Sequence, residues 1–299
     1  MIESEPLVSI SCITYNHISY IRQCLDGFIL QKTSFSFEVL IHDDASTDGT
    51  TDVIREYERI YPHIIKPIYE KENQWVKGKR GSIVFNYPRA KGKYIALCEG
   101  DDYWTDPLKL QKQVDLMETY TNYSLCFHAT NCVRADDVNI IYNIIRKNKS
   151  DFNVCDLILG GGGFMSTNSM LFPAKYIDDM PKWVSECPVG DLPLMLLLGT
   201  KGNVVYIDEI MSSYRVGAGG YTSTIGTNPN KIRKHYNAIF SMFDDFDKWS
   251  DFHYHDAVVQ RKKKLHRQYY VELLMCSMKR LLGENLYFKL HAAYKRIRL

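Results

Sequence analysis

The sequence predicts an α/β protein with a mostly parallel central sheet flanked by helices, followed by a helical C-terminal extension. Three observations carry this expectation. Short continuous apolar runs, clearest at Leu7–Ile13, Phe37–His42 and Tyr94–Cys98, read as strands buried on both faces. Between them, apolar residues recur at helical spacing, as at Ile18, Ile21, Leu25, Phe28 and Ile29. Strand–helix–strand alternation of this kind builds a parallel sheet with right-handed crossovers. From about Lys231 onward the pattern is helical.

Taken in order, the first strand runs into a turn at Thr14-Tyr15-Asn16-His17, and Ile18–Leu30 follows as a helix. The second strand runs into Asp43-Asp44-Ala45-Ser46-Thr47-Asp48-Gly49, a turn cluster rich in helix-capping residues. Val53, Ile54, Tyr57 and Ile60 mark the face of the next helix, and Ile64–Tyr69 is a third, short strand. Pro107 opens a helix after the strand at 94–98. Farther on, Tyr123–Val133 and Asn139–Ile145 form a candidate strand pair, and Gly160–Gly163 a flexible loop. Asp191–Leu198 reads as a helix, and Val204–Ile207 and Met211–Val216 as two short strands. The C-terminal helical region has a break near Gly283. The expected organisation is an α/β domain over 1–225, with an opening half at 1–120 and a second half at 121–225. A basic helical region at 226–299 completes it.

Length and composition fit this plan. At roughly 100–200 residues per domain, 299 residues suit one large domain with an appendage. Hydrophobic residues at 45% and charged residues at 24% are ordinary globular values. The eight cysteines include no CxxC pair and several lie in apolar runs, so a reducing, cytoplasmic setting is expected. Met1–Pro6 has no basic n-region, and the longest strongly apolar run, Leu192–Leu198, falls far short of the roughly 20 residues that span a bilayer. The net charge of +2 hides an asymmetry. Arg261–Leu299 holds 11 Lys and Arg against 2 Asp and Glu, which makes that segment +9 and the remainder −7.

The densest chemical signal is Glu99-Gly100-Asp101-Asp102, just past a buried strand, at the carboxyl end where open α/β sheets bind ligands. Three carboxylates in four residues repel one another. A hard divalent cation such as Mg²⁺ or Mn²⁺, which prefers oxygen ligands and bridges phosphates, relieves that repulsion. The same four residues also serve as a polar loop ahead of a helix. Asp43-Asp44 occupies a second strand end, where ionised carboxylates accept hydrogen bonds from a ribose or a base edge, or cap the helix that follows. Thr14-Tyr15-Asn16 at the first strand end sets an aromatic ring between small polar groups, a setting that can hold a base.

In order and spacing these motifs resemble family 2 glycosyltransferases of the GT-A fold, over about residues 7–120. The family's opening Thr-Tyr-Asn-like turn is matched by Thr14, Tyr15 and Asn16. Its Asp-Asp-x-Ser-x-Asp-Gly segment is matched by Asp43, Asp44, Ser46, Asp48 and Gly49, and its Ala-x-Gly-x-Tyr-Ile by Ala90, Gly92, Tyr94 and Ile95. The family's Asp-x-Asp metal motif is written here with Glu99 in first place, one methylene longer. The Arg-Asn usually found ahead of Ala-x-Gly is altered, with Asn86 and Arg89 at different spacing.

The resemblance implies a nucleoside-diphosphate sugar donor held in the N-terminal half. Thr14, Tyr15, Asn16 and one of Asp43 and Asp44 would meet the nucleoside. Glu99 and Gly100 would lie against the donor, and Asp101, with Asp102, would hold Mn²⁺ or Mg²⁺ on its diphosphate. It implies Arg215, ahead of the glycine-rich Gly217–Tyr221, at phosphate oxygens. It also implies an inverting transfer to a glycan or lipid-linked hydroxyl, with an acidic base at a helix start in the second half. Asp191, in Gly190-Asp191-Leu192-Pro193, fits that position, with Glu186 as fallback. Gly160–Gly163 with Phe164, Ser166 and Thr167 form either a loop that closes over the acceptor or a plain flexible loop. Cell-surface polysaccharide or lipopolysaccharide assembly is the implied setting.

Rival readings are a non-catalytic nucleotide- or glycan-binding homologue and a nucleotidyltransferase; the latter opens with a Gly-rich basic loop where this chain has Thr14-Tyr15-Asn16. The basic C-terminal helices, with Arg261–Lys264 and Lys295–Arg298 bracketing Leu273, Leu274, Tyr287 and Phe288, suit either a peripheral contact with an anionic membrane at its inner face or a solvated cap. No nucleic-acid-binding pattern is present. His253 and His255, in helical surroundings, read as exposed histidines rather than metal ligands.

Overall fold

A computed structural model of the chain describes residues 5–135, 139–146, 149–219, 225 and 228–282. It divides into two compact units, Met1–Ala218 and Gly219–Leu299.

The first unit is built on one sheet. Its opening half alternates as expected: β1 (Val8–Thr14), α1 (Ile21–Ile29), β2 (Phe37–Asp43), α2 (Thr50–Ile60), β3 (Ile65–Tyr69) and β4 (Tyr94–Leu97). Parallel pairing gives the order β3-β2-β1-β4. Val8, Ile10, Cys12, Val39, Ile41 and Ala96 are fully buried because helices cover the sheet's faces. Helix α1 turns Ile21, Cys24, Leu25 and Phe28 inward. It lies so close to β5 (Tyr103–Trp104) that a Cβ on Gly27 would stand 2.9 Å from the Trp104 carbonyl oxygen.

The second half continues with α3 (Lys109–Thr119), β6 (Tyr123–Arg134), β7 (Ile140–Ile144), β8 (Asp151–Phe152), α4 (Val154–Gly160), β9 (Leu171–Pro173), α5 (Lys182–Ser185), α6 (Asp191–Gly199) and β10 (Asn203–Val216). The sheet extends as β4-β9-β6-β10-β5, with β9 antiparallel to β4 and β6, and β10 parallel to β6. The expected pairing of 123–133 with 139–145 is the antiparallel β6–β7 hairpin. Two expectations change. The short strands at 204–207 and 211–216 are one strand, β10, whose register against β6 shifts between Ile207 and Ile210 and again before Ser212. The irregular residues between the two apolar stretches are a bulge rather than a turn. The tetraglycine is not an open loop: Gly160 ends α4 and Gly161–Gly163 form a 3₁₀ turn. The Arg146 guanidinium donates to the Gly163 carbonyl at 2.9 Å and to that of Phe164, and stacks on the Phe164 ring.

The second unit, among described residues, is chiefly a helical hairpin of α7 (Pro229–Trp249) and α8 (His255–Leu282). Asn228 caps α7 through the Asn230 amide, with Pro229 at the first helical position. The two helices are joined by the Tyr236 hydroxyl on Glu272, by Phe240 stacked on His266, and by His255 Nδ1 2.7 Å from Asp247. His253 and His255 are exposed. Gly283, Tyr287, Phe288 and Lys295–Arg298 lie outside the described residues, as do Gly220 and Tyr221. No described helix is long and apolar enough to cross a membrane.

Candidate active site

Strand order reverses direction at β1, which has β2 on one side and β4 on the other. Such a switch point opens a crevice at the carboxyl ends of the strands. Thr14 pairs with Asp43 across the β1–β2 ladder, so both motifs finish at the same level, and Cys98 N donates to Ser11 O to bring the acidic motif alongside.

The first two motifs are stitched to each other. Asn16 has φ of 55°, a left-handed conformation that asparagine tolerates. Its amide donates to Ser46 Oγ at 2.9 Å and its carboxamide oxygen accepts from Thr47 N at 2.8 Å. His17 N donates to Thr50 Oγ1 and Ile18 N to Asp48 Oδ2, completing the seam. Asn16 is therefore a brace between two loops. Tyr15 beside it is 45% exposed, a ring available to a planar ligand.

Asp43 and Asp44 are both buried. Asp43 accepts from Ser46 N and from the Thr51 hydroxyl, which fixes the entry to α2. Asp44 accepts from the Gln74 amide at 2.5 Å and the Trp75 amide at 3.1 Å, which holds the 72–75 loop against the sheet. Every oxygen of the pair already has one partner from the chain. An ionised carboxylate oxygen has a second lone pair, so each can still accept one bond from a ligand.

In the acidic motif, Gly100 N donates to Ile13 O at 2.9 Å. A Cβ at Gly100 would sit 2.6 Å from Thr14 Oγ1 and 2.8 Å from Thr14 Cβ, so only glycine lets this loop rest on the end of β1. Thr14 itself turns its hydroxyl toward His17 Nδ1 at 3.2 Å. The ligand oxygens of Glu99, Asp101 and Asp102 lie within 4.8 Å of one another. Burial, then Asp101 and Asp191, push the Glu99 carboxyl up to about 8. Burial, then Asp101 and Glu99, push Asp102 well above the ordinary carboxylate range. A cluster of carboxylates crowded in this way fits a hard divalent cation, which restores the charged forms.

The three carboxylates are not equivalent. Asp102 is fully buried and accepts from the Arg215 amide at 2.8 Å and from Asn168 Nδ2 at 3.1 Å. Asp101 and Glu99 are half-buried, and Asp101 Oδ2 is 4.0 Å from His17 Nε2. Burial lowers the proton affinity of His17, while Asp101 and Asp48 raise it.

The resemblance places Arg215 at phosphate oxygens. In this structure its guanidinium donates to the Asp101 carbonyl and to Gln23 Oε1, between the rings of Tyr20 at 4.9 Å and Tyr103 at 4.5 Å. Only 8% of the residue is exposed, so in this structure Arg215 sets the metal-motif loop from behind.

Asp191 is the first residue of α6, a helix otherwise buried on all sides. It is half-buried, and burial raises its carboxyl above the usual range, with the Leu192 amide pulling the other way. Asp191 also raises the Glu99 carboxyl electrostatically, so the start of α6 lies in the neighbourhood of the acidic motif. Glu186 is exposed at the end of α5. Arg80 donates to the Pro188 carbonyl at 2.7 Å and stacks on Trp75 at 4.6 Å. The loop held by Asp44 is thereby tied to the segment that leads into Asp191. Ser166 is buried ahead of a 3₁₀ turn, Thr167–Ser169, that presents Asn168 to Asp102.

His17, Arg80 and Asn168 were not singled out from the sequence. His17 adjoins the Thr-Tyr-Asn turn and was within reach of motif reasoning. Arg80 and Asn168 act on residues 108 and 66 positions away, and no local pattern announces them.

This fold with this acidic crevice is that of GT-A glycosyltransferases. Residues 9–167, more than half of the chain, match the model of glycosyl transferase family 2, and the chain belongs to that family. An uncharacterised protein of Mycobacterium tuberculosis is 36% identical over 226 residues, which cover 75% of this chain and 63% of that protein. The chain thus spans less than two thirds of that relative. The putative teichuronic acid biosynthesis glycosyltransferase TuaG of Bacillus subtilis is 35% identical over 40% of this chain and 48% of its own. WfaP of Escherichia coli, a UDP-Glc:α-D-GlcNAc-diphosphoundecaprenol β-1,3-glucosyltransferase, is 35% identical over 39% of this chain and 46% of its own. Among solved structures, residues 1–349 of S. aureus TarS with UDP-GlcNAc superpose with a TM-score of 0.67 at 15% identity, covering 87% of this chain and 72% of that one. The mannosyltransferase PcManGT of Pyrobaculum calidifontis, with GDP-Man and Mn²⁺, gives 0.60 at 16%, covering 99% and 81%.

Proposed function

We propose that this chain is an inverting glycosyltransferase that moves a sugar from a nucleoside-diphosphate sugar, UDP-sugar favoured, to a hydroxyl of a glycan or lipid-linked acceptor. The observation that carries the reading is the Glu99–Asp101–Asp102 cluster at the end of β4, with the carboxyl of Asp191 acting on it from the start of α6. One face of the crevice is suited to a diphosphate and the other to a base. TuaG and WfaP support a role in cell-surface polysaccharide or lipopolysaccharide assembly. The eight unpaired thiols support a reducing, cytoplasmic setting.

In this reading Tyr15 stacks on the nucleoside base while Asp43 or Asp44 uses its remaining lone pairs on the base edge or ribose. Asp101 is the principal ligand of Mn²⁺ or Mg²⁺, Glu99 acts beside it or on the donor sugar, and Asp102 supports the loop from beneath. A bound divalent ion supplies charge stabilisation for the departing diphosphate. Asp191 accepts the proton of the acceptor hydroxyl as its oxygen attacks the anomeric carbon. The new glycosidic C–O bond forms on the ring face opposite the breaking bond to the diphosphate. A carboxyl raised above the ordinary range is a stronger base for this step than an exposed aspartate. Arg215 and Asn168 hold the motif rigid, so that little reorganisation accompanies transfer.

Asp191→Asn tests the assignment. Turnover of the preferred donor should fall about 10²–10⁴-fold with nucleotide affinity retained. An unchanged rate removes Asp191 from the mechanism.

A further inference from the structure

The catalytic reading leaves the second unit without a role, and its helix α8 carries an unusual face. Toward α7 this helix presents Val258, Leu265, Tyr269, Glu272 and Cys276, which are buried or bonded across the hairpin. On its exposed side, Lys263, Arg267, Tyr270, Leu274 and Leu281 follow one another at intervals of four, three, four and seven residues, a stripe along the helix whose Leu274 also borders a cavity with Asn228, Pro229, Asn230 and Arg233 at the start of α7. All five are exposed, the last three by 65%, 61% and 84%, and Lys264 and the 53%-exposed Val271 flank them. The stripe is graded along the axis, with cations first, then an aromatic ring with a polar tip, then aliphatic side chains. Between Lys263 and Leu281 it contains no carboxylate: Glu272 bonds Tyr236 across the hairpin, and the acid on this side, Asp256, lies a full heptad before Lys263.

We propose that this face of α8 docks the protein on an anionic lipid surface. Each part of the gradient matches a layer of a bilayer interface: Lys263, Lys264 and Arg267 the anionic headgroups, Tyr270 the interfacial zone, and Val271, Leu274 and Leu281 the acyl boundary. Charge argues against a second copy as occupant. A parallel pair sets Lys263 and Arg267 against their counterparts, and an antiparallel pair sets those cations on leucines. The sequence of residues 283–299, with four Lys and Arg against one Glu, adds positive charge and so reinforces attraction to an anionic surface. Docking of this kind brings a nucleotide-sugar enzyme to a lipid-linked acceptor. The interaction itself is separate from turnover and stands or falls without it.

The test is co-sedimentation of the full chain with vesicles of phosphatidylcholine alone or of phosphatidylcholine mixed with phosphatidylglycerol, at low and physiological salt. The expected result is binding to the mixed vesicles only, weakened by salt. The pair Lys263→Glu and Arg267→Glu should lower partitioning about tenfold or more, and Tyr270→Ser with Leu274→Ser should lower it at either salt concentration. These positions are exposed, and circular dichroism checks that the helices persist. Absence of binding by the full chain overturns the proposal, as do variants that bind like the parent. A chain that elutes as a dimer, and as a monomer once Tyr270 and Leu274 are replaced, assigns the face to a second copy and overturns it too.

Discussion

Replacing Lys109 by methionine should stabilise the fold at low pH and destabilise it at high pH. Lys109 opens α3 just behind the acidic motif and is fully buried. Its ammonium donates to Gln113 Oε1 at 2.7 Å and lies 3.9 Å from the centre of the Trp104 ring. Burial pushes its proton affinity from the usual 10.5 down to about 7. Between those two values the unfolded chain binds the proton and the folded chain does not, so stability rises with pH across that window. Below it, both states carry the proton and the cost of a buried cation is present in full. At about 1.4 kcal/mol per pH unit, the gap sets a ceiling of about 5 kcal/mol on that cost. Methionine keeps the length and apolar stem but leaves Gln113 Oε1 without its donor, which costs about 1–3 kcal/mol at any pH. The variant should therefore gain about 2–4 kcal/mol near pH 6 and lose about 1–3 kcal/mol near pH 10. Urea unfolding of both proteins at several pH values measures the difference. Parallel stability curves would refute the reasoning, because they would mean that Lys109 keeps its ordinary proton affinity in the folded state.

Other predictions concern the site. Gly100→Ala drives a Cβ to within 2.6 Å of Thr14 Oγ1, so the loop must lift off β1. A loss of about 1–3 kcal/mol in stability and weaker Mn²⁺ binding by calorimetry are expected. Arg80→Met removes the bond to the Pro188 carbonyl and the stack on Trp75. It should lower kcat about tenfold or more with donor affinity near the parent's, and have little further effect when Asp191→Asn is already present. The acid limb of the rate should lie above the range of an exposed aspartate, because burial raises Asp191 and transfer needs its ionised form. A pH–rate profile reads it, and activity should fall as pH drops through that limb.

The sequence was most informative where chemistry and periodicity coincide. Asp43 and Glu99 each follow a run of consecutive buried residues, and Thr14 follows another with only the half-buried Ile13 between, so both the strands and their ends were visible. The work done by individual side chains at those ends was less visible, because their partners are remote. Asn16 meets Ser46 and Thr47, Asp44 meets Gln74 and Trp75, and Arg215 meets Gln23 and the Asp101 carbonyl. A polar residue in a strand-end motif reads as a ligand contact when only its neighbours in sequence are known. Arg215 is one case: its place ahead of a glycine-rich segment is visible in the sequence, while the rings of Tyr20 and Tyr103 on either side of it are not. The short strands β5 and β9 have two and three residues and depend on neighbours already in the sheet, so no periodicity could reveal them. In α8 apolar residues occur both on the face packed on α7 and on the exposed side, among its cations, which blurred its pattern into plain helicity.

In the proposed mechanism the crevice at the ends of β1, β2 and β4 binds a nucleoside diphosphate through a divalent ion. Calorimetric titration of the full chain with UDP, GDP, TDP and CMP, in Mn²⁺ and then in EDTA, tests it most directly. One nucleoside diphosphate should bind, EDTA should abolish or sharply weaken the binding, and Asp101→Asn should do the same. Failure of every nucleotide to bind the folded protein with Mn²⁺ present, or binding indifferent to both EDTA and Asp101→Asn, would contradict it.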